Sequence, residues 1–444
     1  MGIKIGNRLP YLVLAAVCVV SLGTRAAWLS LPCHAACRTP ASHLEIFDER
    51  YYVNAARVIA GIRPPAMPGG AYRHAPLGSD PNAEHPQLAK LIMAGSIDLF
   101  GDGPWAWRLG SLLFGTLAIL GMFVLVRATG AGAWPAVGAA ALMAADNLMI
   151  VQGRIGTLEV YVVTAMVWAL ALYIRGRPLL AGVAAGIGVC MKLFALDVVV
   201  VMALWELLGW RGAASQPDRR WFTPRVRLTR LLQATAATGA SFIGLLALMD
   251  RIARPYDNAA RRFVGGGPFG HLAHMITYAA QQTVSGADAI ASYPWQWLGD
   301  YKPIGYLTID PAHPSAGFAG DHPAVHFLGF ISPPILLAGL IGTALAIWIA
   351  VRPSARRLAP SPEDAGLLTL AAAWFLGTFG PFLLASVAFG RTTYLYYMMI
   401  VMPGMYVAAV WLVQRLWRRS WLIGIWAALV AVAAVVLYPL TPLP

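Results

Sequence analysis

Phe47-Asp48-Glu49-Arg50-Tyr51-Tyr52 lies shortly beyond a first apolar run at residues 9–29 and sets two carboxylates side by side at a membrane boundary. Adjacent acids at the edge of a bilayer repel one another and resist desolvation, so a cation, a hydrogen-bond network or a chemical task is expected to use them. The plainer alternative is a solvated loop that happens to be acidic. Which of the two holds decides whether the rest of the chain is scaffold and substrate grip for a reaction, or only a bundle of membrane helices.

Outward from that stretch the composition bounds the fold. The 444 residues are 58% hydrophobic and only 12% charged, too apolar for a soluble globular protein of this size. Apolar runs of about 17–25 residues recur from end to end, each long enough to cross a hydrocarbon core as a helix, and backbone hydrogen bonding in lipid excludes open sheets there. The expected fold class is therefore an all-α polytopic membrane protein, a helical bundle forming one membrane domain over residues 1–444. A net charge of +13 would suggest nucleic acid in a soluble protein, but here topology accounts for it and no nucleic-acid partner is expected.

Taking basic clusters as cytoplasmic sorts the spans into one alternating register. Lys4 and Arg8 lie inside and the first loop (residues 30–104) outside, and spans expected at about 105–126, 134–151 and 157–174 bring Arg127, Arg175 and Arg177 inside again. The stretch 179–210, interrupted by Lys192, reads as two short spans meeting on the outer side. Arg211, Arg219, Arg220, Arg225, Arg227 and Arg230 make residues 211–230 a cytoplasmic loop, and Arg352, Arg356, Arg357, Arg415, Arg418 and Arg419 mark the later inside junctions. A long outer loop at 250–326 exceeds a simple connector and is suspected of function. The remaining spans are expected at 327–351, 365–389, 393–413 and 421–440. The register predicts about eleven helices, with the N-terminus cytoplasmic and the C-terminus extracytoplasmic. The basic first run resembles a signal peptide, but its length and the spans that follow favour an uncleaved first helix.

Acids sort oppositely: Glu45, Asp48, Glu49, Asp80, Glu84, Asp98, Asp102, Asp257, Asp288, Asp300, Asp310 and Asp321 all fall outside, which directs function to the outer face. No G-x-G-x-x-G following a strand and no Walker A sequence occurs, so a water-soluble nucleotide donor has no evident seat. Cys18 and Cys190 fall in apolar spans as packing residues, whereas Cys33 and Cys37 in the first loop suit a small disulfide on an oxidising side. A metal site using His34 would have too few ligands.

Besides Asp48 and Glu49, three features converge on the outer boundary. Glu84-His85-Pro86-Gln87-Leu88-Ala89-Lys90 opens an amphipathic segment suited to the interface, where it would hold the first loop over the membrane. Asp146-Asn147, Gln152, Arg154 and Glu159 lie near the outer ends of two successive spans. Groups so costly to bury should face the bundle and pair, as Asp146–Arg154 or Arg154–Glu159 staples. Lys192 and Arg391 are isolated cations on the side where positive-inside topology predicts few. They would either snorkel as filler or grip a phosphate, arginine bidentately and lysine as a point charge. Acids and cations on an outer surface without a nucleotide fold suggest a reaction on a lipid-linked phosphate: an apolar tail between helices, an anion at Lys192 and Arg391, and an anomeric carbon facing Asp48.

These residues resemble a known family. The stretch from Phe47 to Arg57 is similar to the first-loop motif of the protein O-mannosyltransferases and their bacterial lipid-carrier-dependent relatives. Glu84-His85-Pro86-Gln87-Leu88-Ala89-Lys90-Leu91, with Leu99-Phe100-Gly101-Asp102 and Trp107-Arg108-Leu109, resembles the family's His-Pro-Pro-Leu-Gly-Lys segment and following helix. The similarity runs on through Asp146-Asn147, Gln152-Gly153-Arg154-Ile155, Glu159 and Gly186-Ile187-Gly188-Val189-Cys190-Met191-Lys192. It ends with Ser292-Tyr293-Pro294-Trp295-Gln296-Trp297, His326-Phe327-Leu328-Gly329 and Tyr394-Leu395-Tyr396-Tyr397.

The resemblance implies a C-type glycosyltransferase fold and inverting transfer of a sugar, commonly mannose, from a polyprenyl or dolichyl phosphate to a hydroxyl. Asp48 falls on the catalytic acidic position as general base, and Glu49 would orient the acceptor or, with Asp48, bind a divalent cation. Glu84, His85, Arg154, Lys192, Arg391 and Tyr396 would contact carrier phosphate, sugar or acceptor, with Asp146 and Glu159 behind them. Gln87 in place of the second proline, Glu159 where aspartate is common and Leu193 after the lysine depart from the pattern and bear on acceptor and sugar more than on fold. A protein acceptor is the first reading, a lipid or cell-envelope glycan the second, and a transporter or flippase the rival of another class. Arginine's excess over lysine points to a bacterial cytoplasmic membrane. The sequence leaves the oligomeric state open.

Overall fold

The computed structural model of the protein describes residues 8–31, 33, 39, 42–66, 71–213, 224–283, 290–309, 325–352, 361–416 and 419–440. Lys4, His34, Cys37, Arg219, Arg220, Asp288, Asp310, Asp321, Arg356, Arg357 and Arg418, named above, lie outside the described residues, as do the side-chain surroundings of Arg211. Cys33 is disulfide-bonded. Cys18 and Cys190 are free and buried.

The helices in chain order are α1 (Leu9–Ala26), α2 (Glu49–Ile59), α3 (Leu88–Phe100), α4 (Pro104–Ala128), α5 (Ala133–Ala145), α6 (Asn147–Gln152), α7 (Glu159–Ile174), α8 (Pro178–Val189), α9 (Asp197–Ala213) and α10 (Pro224–Ile252). After them come α11 (Gly267–Gln281), α12 (Pro294–Trp297), α13 (Pro333–Val351), α14 (Pro362–Phe389), α15 (Met398–Arg415) and α16 (Ser420–Val436). Proline opens α4, α8, α13 and α14, where its missing N–H costs nothing and its fixed φ favours a helix start. In α14, Ser361 also caps the Asp364 N–H at 3.1 Å, and Gly390 in the left-handed region ends the helix immediately before Arg391.

Among the described residues, six stretches are long and apolar enough to cross a membrane: α1, α4, α10, α13, α14 and Leu395–Arg415. Four shorter apolar helices, α5, α7, α8 and α16, join them. The chain is an integral membrane protein. Two expected spans differ in detail. The run from 134 to 151 is broken at Asp146, whose extended backbone separates α5 from α6, because its carboxylate is drawn to partners on other elements. The run from 327 begins as a strand, and the helix starts only at Pro333.

Two small sheets sit among the loops. β1 (Ser79–Asp80) runs parallel to β2 (Arg254–Asp257), which pairs antiparallel with β3 (Arg262–Phe263). β4 (Ile304–Ile309) and β5 (Val325–Gly329) form an antiparallel ladder whose register slips between Gly305 and Leu307.

The core centres on α4, α5, α7 and α15, with α14 and α13 packed on α15 and α8 on α10. α15 is buried all round from Met398 to Trp411, as expected of a helix enclosed by others. The α8–α10 contact requires small residues: a Cβ on Gly182 would fall 2.3 Å from the Ala234 carbonyl oxygen, and one on Gly186 2.8 Å from that of Thr238.

Candidate active site

Asp48 and Glu49 open α2 and have opposite surroundings. Asp48 is the N-cap residue: its carbonyl accepts the Tyr51 and Tyr52 N–H groups at 2.9 and 3.1 Å, while its side chain makes no capping bond. Among the described residues its carboxylate has neither hydrogen bond nor ion pair. Glu49 is fully buried and fully engaged. Oε1 accepts from Arg108 Nε and the Gly156 N–H, each at 2.7 Å, and Oε2 from Arg108 Nη2 at 2.7 Å and the Ile46 N–H at 2.8 Å. Arg108 also donates to the carbonyls of Leu29 and Leu31. The Glu49 carboxylate thus ties the start of α2 to α4 and to the turn before α7, and through Arg108 to the segment that follows α1.

Just before Asp48, Phe47 has φ +56°, a left-handed conformation rare for a bulky residue. Its ring stacks on Tyr306 at 4.2 Å and meets Tyr396 edge-on at 5.5 Å.

The two isolated cations share a neighbourhood. Lys192 follows α8 in extended backbone, φ −162° and ψ 139°. Its Nζ lies 2.5 Å from Glu159 Oε1, 5.5 Å from the Tyr397 ring centre and 5.6 Å from those of Tyr396 and Phe194. Arg391 lies 5.4 Å from the same Phe194 ring and donates Nη1 to the Ala279 carbonyl at 2.9 Å. Its Nε is buried without a hydrogen-bond partner among the described residues.

Electrostatics link Asp48 to this cluster. Burial pushes its carboxyl up to about 7; the Glu159 charge adds to the rise, and the Lys192 and Arg50 charges oppose it. Burial, followed by the charges of Lys192, Lys90 and Arg391, holds His85 well below the usual imidazole range. The His85 ring lies 5.9 Å from Tyr52. Burial also raises Glu84, whose Oε2 accepts from Asn82 Nδ2 at 3.2 Å. Lys90 fixes this segment, donating to Asp80 Oδ2 and the Asn82 carbonyl at 2.6 Å and to the His85 carbonyl at 2.9 Å. Gln87, which stands where the family pattern has proline, donates to Asp250 Oδ1 at 2.7 Å and so ties α3 to the end of α10.

The structure brings together Asp48, Glu159, Lys192, Tyr396, His85 and Arg391. It takes Arg154 and Asp146 elsewhere. Neither Asp146–Arg154 nor Arg154–Glu159 forms. Arg154 donates to the Ala27 carbonyl at 2.7 Å and Tyr438 Oη at 3.1 Å, stapling the end of α1 to the end of the chain. Asp146 accepts from Tyr406 Oη at 2.5 Å and the Ser332 N–H at 3.0 Å, and Glu159 pairs with Lys192. Short-range spacing favoured the local pairs, but both acids turn inward to partners far along the chain.

Glu49 beside Asp48 does not fit a divalent cation. All four of its close contacts are N–H donors, which occupy the lone pairs a metal would need. Among the described residues no group of three His, Cys, Asp or Glu side chains is arranged to hold a metal ion.

The sequence reading named Phe47 and Arg108 only within motifs and gave neither a role of its own, and it did not name Tyr306. Arg108 carried a signal, as a lone charge near the N-terminal end of an apolar helix that must find an acid inside the bundle. Tyr306 carried none, since nothing local marks one tyrosine in a long loop.

Residues 84–226 match the family model described as dolichyl-phosphate-mannose-protein mannosyltransferase. Over 169 residues the chain is 32% identical to the polyprenol-phosphate-mannose–protein mannosyltransferase of Corynebacterium glutamicum; the match covers 37% of this chain and 30% of that relative's length. In fold, the chain superposes on a protein of the S. cerevisiae protein O-mannosyltransferase Pmt1–Pmt2 complex bound to the sugar donor. The TM-score is 0.67 at 10% identity, covering 99% of this chain and 90% of the yeast one. The oligosaccharyltransferase AglB of Archaeoglobus fulgidus, solved with an inhibitory peptide and a dolichol-phosphate, gives 0.51 at 14% identity over 98% of this chain and 55% of that one. At such identities the structural likeness is one of fold. The chain is therefore similar in sequence to the protein O-mannosyltransferases over residues 84–226, and over nearly its whole length it shares the C-type glycosyltransferase fold of the yeast protein.

Proposed function

We propose that this chain transfers a sugar, mannose in the first instance, from a polyprenyl phosphate to a serine or threonine hydroxyl of a protein on the extracytoplasmic face of the membrane. The observation that carries the reading is Asp48: a carboxylate with no protein partner among the described residues, raised in pKa, within the field of Lys192 and beside the aromatic residues that surround it. The match to a curated protein mannosyltransferase favours a protein acceptor over a lipid or glycan.

In this reading Asp48 accepts the acceptor hydroxyl proton as that oxygen attacks the anomeric carbon from the face opposite the phosphate. The carbon–oxygen bond to the phosphate breaks, and polyprenyl phosphate leaves with the electron pair, inverting the configuration. Lys192 and Arg391 stabilise the leaving phosphate, where charge develops. His85, neutral in the field of those cations, is suited to hydrogen bonding with sugar or acceptor, as is Glu84 at the rim. Glu49 acts through structure alone, holding the backbone from which Asp48 projects. In this reading the basic junctions face the cytoplasm and Asp48 lies at the outer lip of a single membrane domain.

The test is turnover of radiolabelled polyprenyl phosphate mannose by purified enzyme in liposomes, with Ser/Thr-rich peptides or cell-envelope glycans as acceptors. Label appearing on glycan or lipid and never on peptide would transfer the reading to the second acceptor class. Movement of intact carrier across the bilayer without sugar release would replace it with transport.

A further inference from the structure

The aromatic contact behind Asp48 is built by residues from four parts of the chain. Tyr306 occupies the slip in the β4–β5 ladder: Gly305 is paired with Leu328 and Leu307 with Phe327, so Tyr306 is the extra residue. A bulge of this kind re-aims a side chain. The Tyr306 ring passes over Gly329 on the partner strand, where an added Cβ would fall 2.6 Å from the phenol oxygen and 2.7 Å from the ring. Gln152, fully buried, donates Nε2 to that oxygen at 2.9 Å, and Thr157 holds the other end of the same amide. The ring is thereby fixed in direction and depth. Its face carries Phe47, 4.2 Å away and tilted by 21°.

Phe47 is the residue that requires holding. A left-handed φ in a bulky residue persists where surrounding structure over-determines it, and Phe47 is the last residue before Asp48.

We infer that Tyr306 is a positioning residue for Asp48, its ring clamping Phe47 in the left-handed conformation that aims the Asp48 carboxylate at the reacting centre. This rests on the reading of Asp48 as general base. Because the ring face makes the contact, the hydroxyl serves only to anchor the ring to Gln152.

The experiment measures kcat and KM for polyprenyl phosphate mannose in Y306L, Y306F and F47G, with D48N alongside. Displacing a reacting group by about an ångström costs on the order of 100-fold. Y306L is expected to lose roughly 10- to 100-fold in kcat with the donor KM within about twofold of wild type. Y306F keeps the ring face and is expected to remain within about threefold. F47G removes the clamped ring, and because glycine populates negative φ as readily as positive the backbone before Asp48 is no longer fixed, so it should fall as far as Y306L. Wild-type kcat in Y306L or F47G, alongside an inactive D48N, overturns the clamp and leaves the base assignment standing. A Y306F as impaired as Y306L also overturns it, because the phenol rather than the ring would then be the operative group. Turnover retained in D48N removes the base assignment and this inference with it.

Discussion

Arg108 grips both oxygens of Glu49, at 2.7 Å each, one residue away from a carboxylate that no group among the described residues holds. The acidic pair that opens α2 is thus a division of labour. Glu49 anchors the loop, and in the proposed function Asp48 supplies the base, a reading under which two adjacent acids persist in so apolar a chain.

Replacing Asp48 by asparagine keeps shape and removes the base. Transfer should fall by about 10²–10⁴-fold, while binding of undecaprenyl phosphate, read by tryptophan fluorescence in detergent, stays unchanged. Full turnover in purified D48N enzyme would reject the assigned role.

A base must be ionised to work, and the Asp48 carboxyl is pushed up to about 7. The rate should therefore rise with pH through about 7 and level off above it. Stability carries the opposite sign. The folded pKa exceeds the unfolded value of about 3.9, so the folded state binds more protons between those values. This contribution to stability is complete below about pH 4 and lost as pH rises through about 7. D48N should flatten both curves, measured as initial rate and as thermal midpoint across pH 5–9.

Glu49→Gln and Arg108→Met each leave a buried charge without its partner. Each is expected to cost about 3–5 kcal/mol of stability, and the double variant less than the two summed, since removing both partners leaves no orphaned charge. Denaturant unfolding in detergent gives the cycle. An additive double variant would mean that the two groups do not couple.

Lys192→Met should lower affinity for undecaprenyl phosphate and also destabilise the fold, because it strands the buried Glu159 carboxylate. Pairing it with Glu159→Gln removes the stranded charge and should recover stability without recovering phosphate binding. Recovery of binding in the pair would show that Lys192 acts only as the partner of Glu159.

Gly115 leaves space for Arg25: a Cβ there would fall 1.9 Å from an Arg25 guanidinium nitrogen, which also donates to the Leu112 and Gly153 carbonyls at 3.2 Å. Gly115→Ala should displace Arg25 and cost on the order of 1–3 kcal/mol, read as a lowered thermal midpoint with donor KM unchanged.

Much was legible in the sequence because it depends on local composition. Apolar length marked where helices run, and the isolated positions of Lys192 and Arg391 marked them as exceptions to the charge pattern. The acidic pair was also visible, as a place where desolvation demands a reason. Which acid would be spent on structure was not visible, because that depends on Arg108 arriving from 59 residues away and on the Gly156 N–H from 107 residues away. For the same reason Arg154 left its nearby acids for Ala27 and Tyr438, and a tyrosine in an unpatterned loop came to rest against Phe47. Spacing along a helix governs neighbours three or four residues apart. A buried charge or ring takes whichever partner best offsets its loss of water, and only the assembled bundle decides which partner stands there.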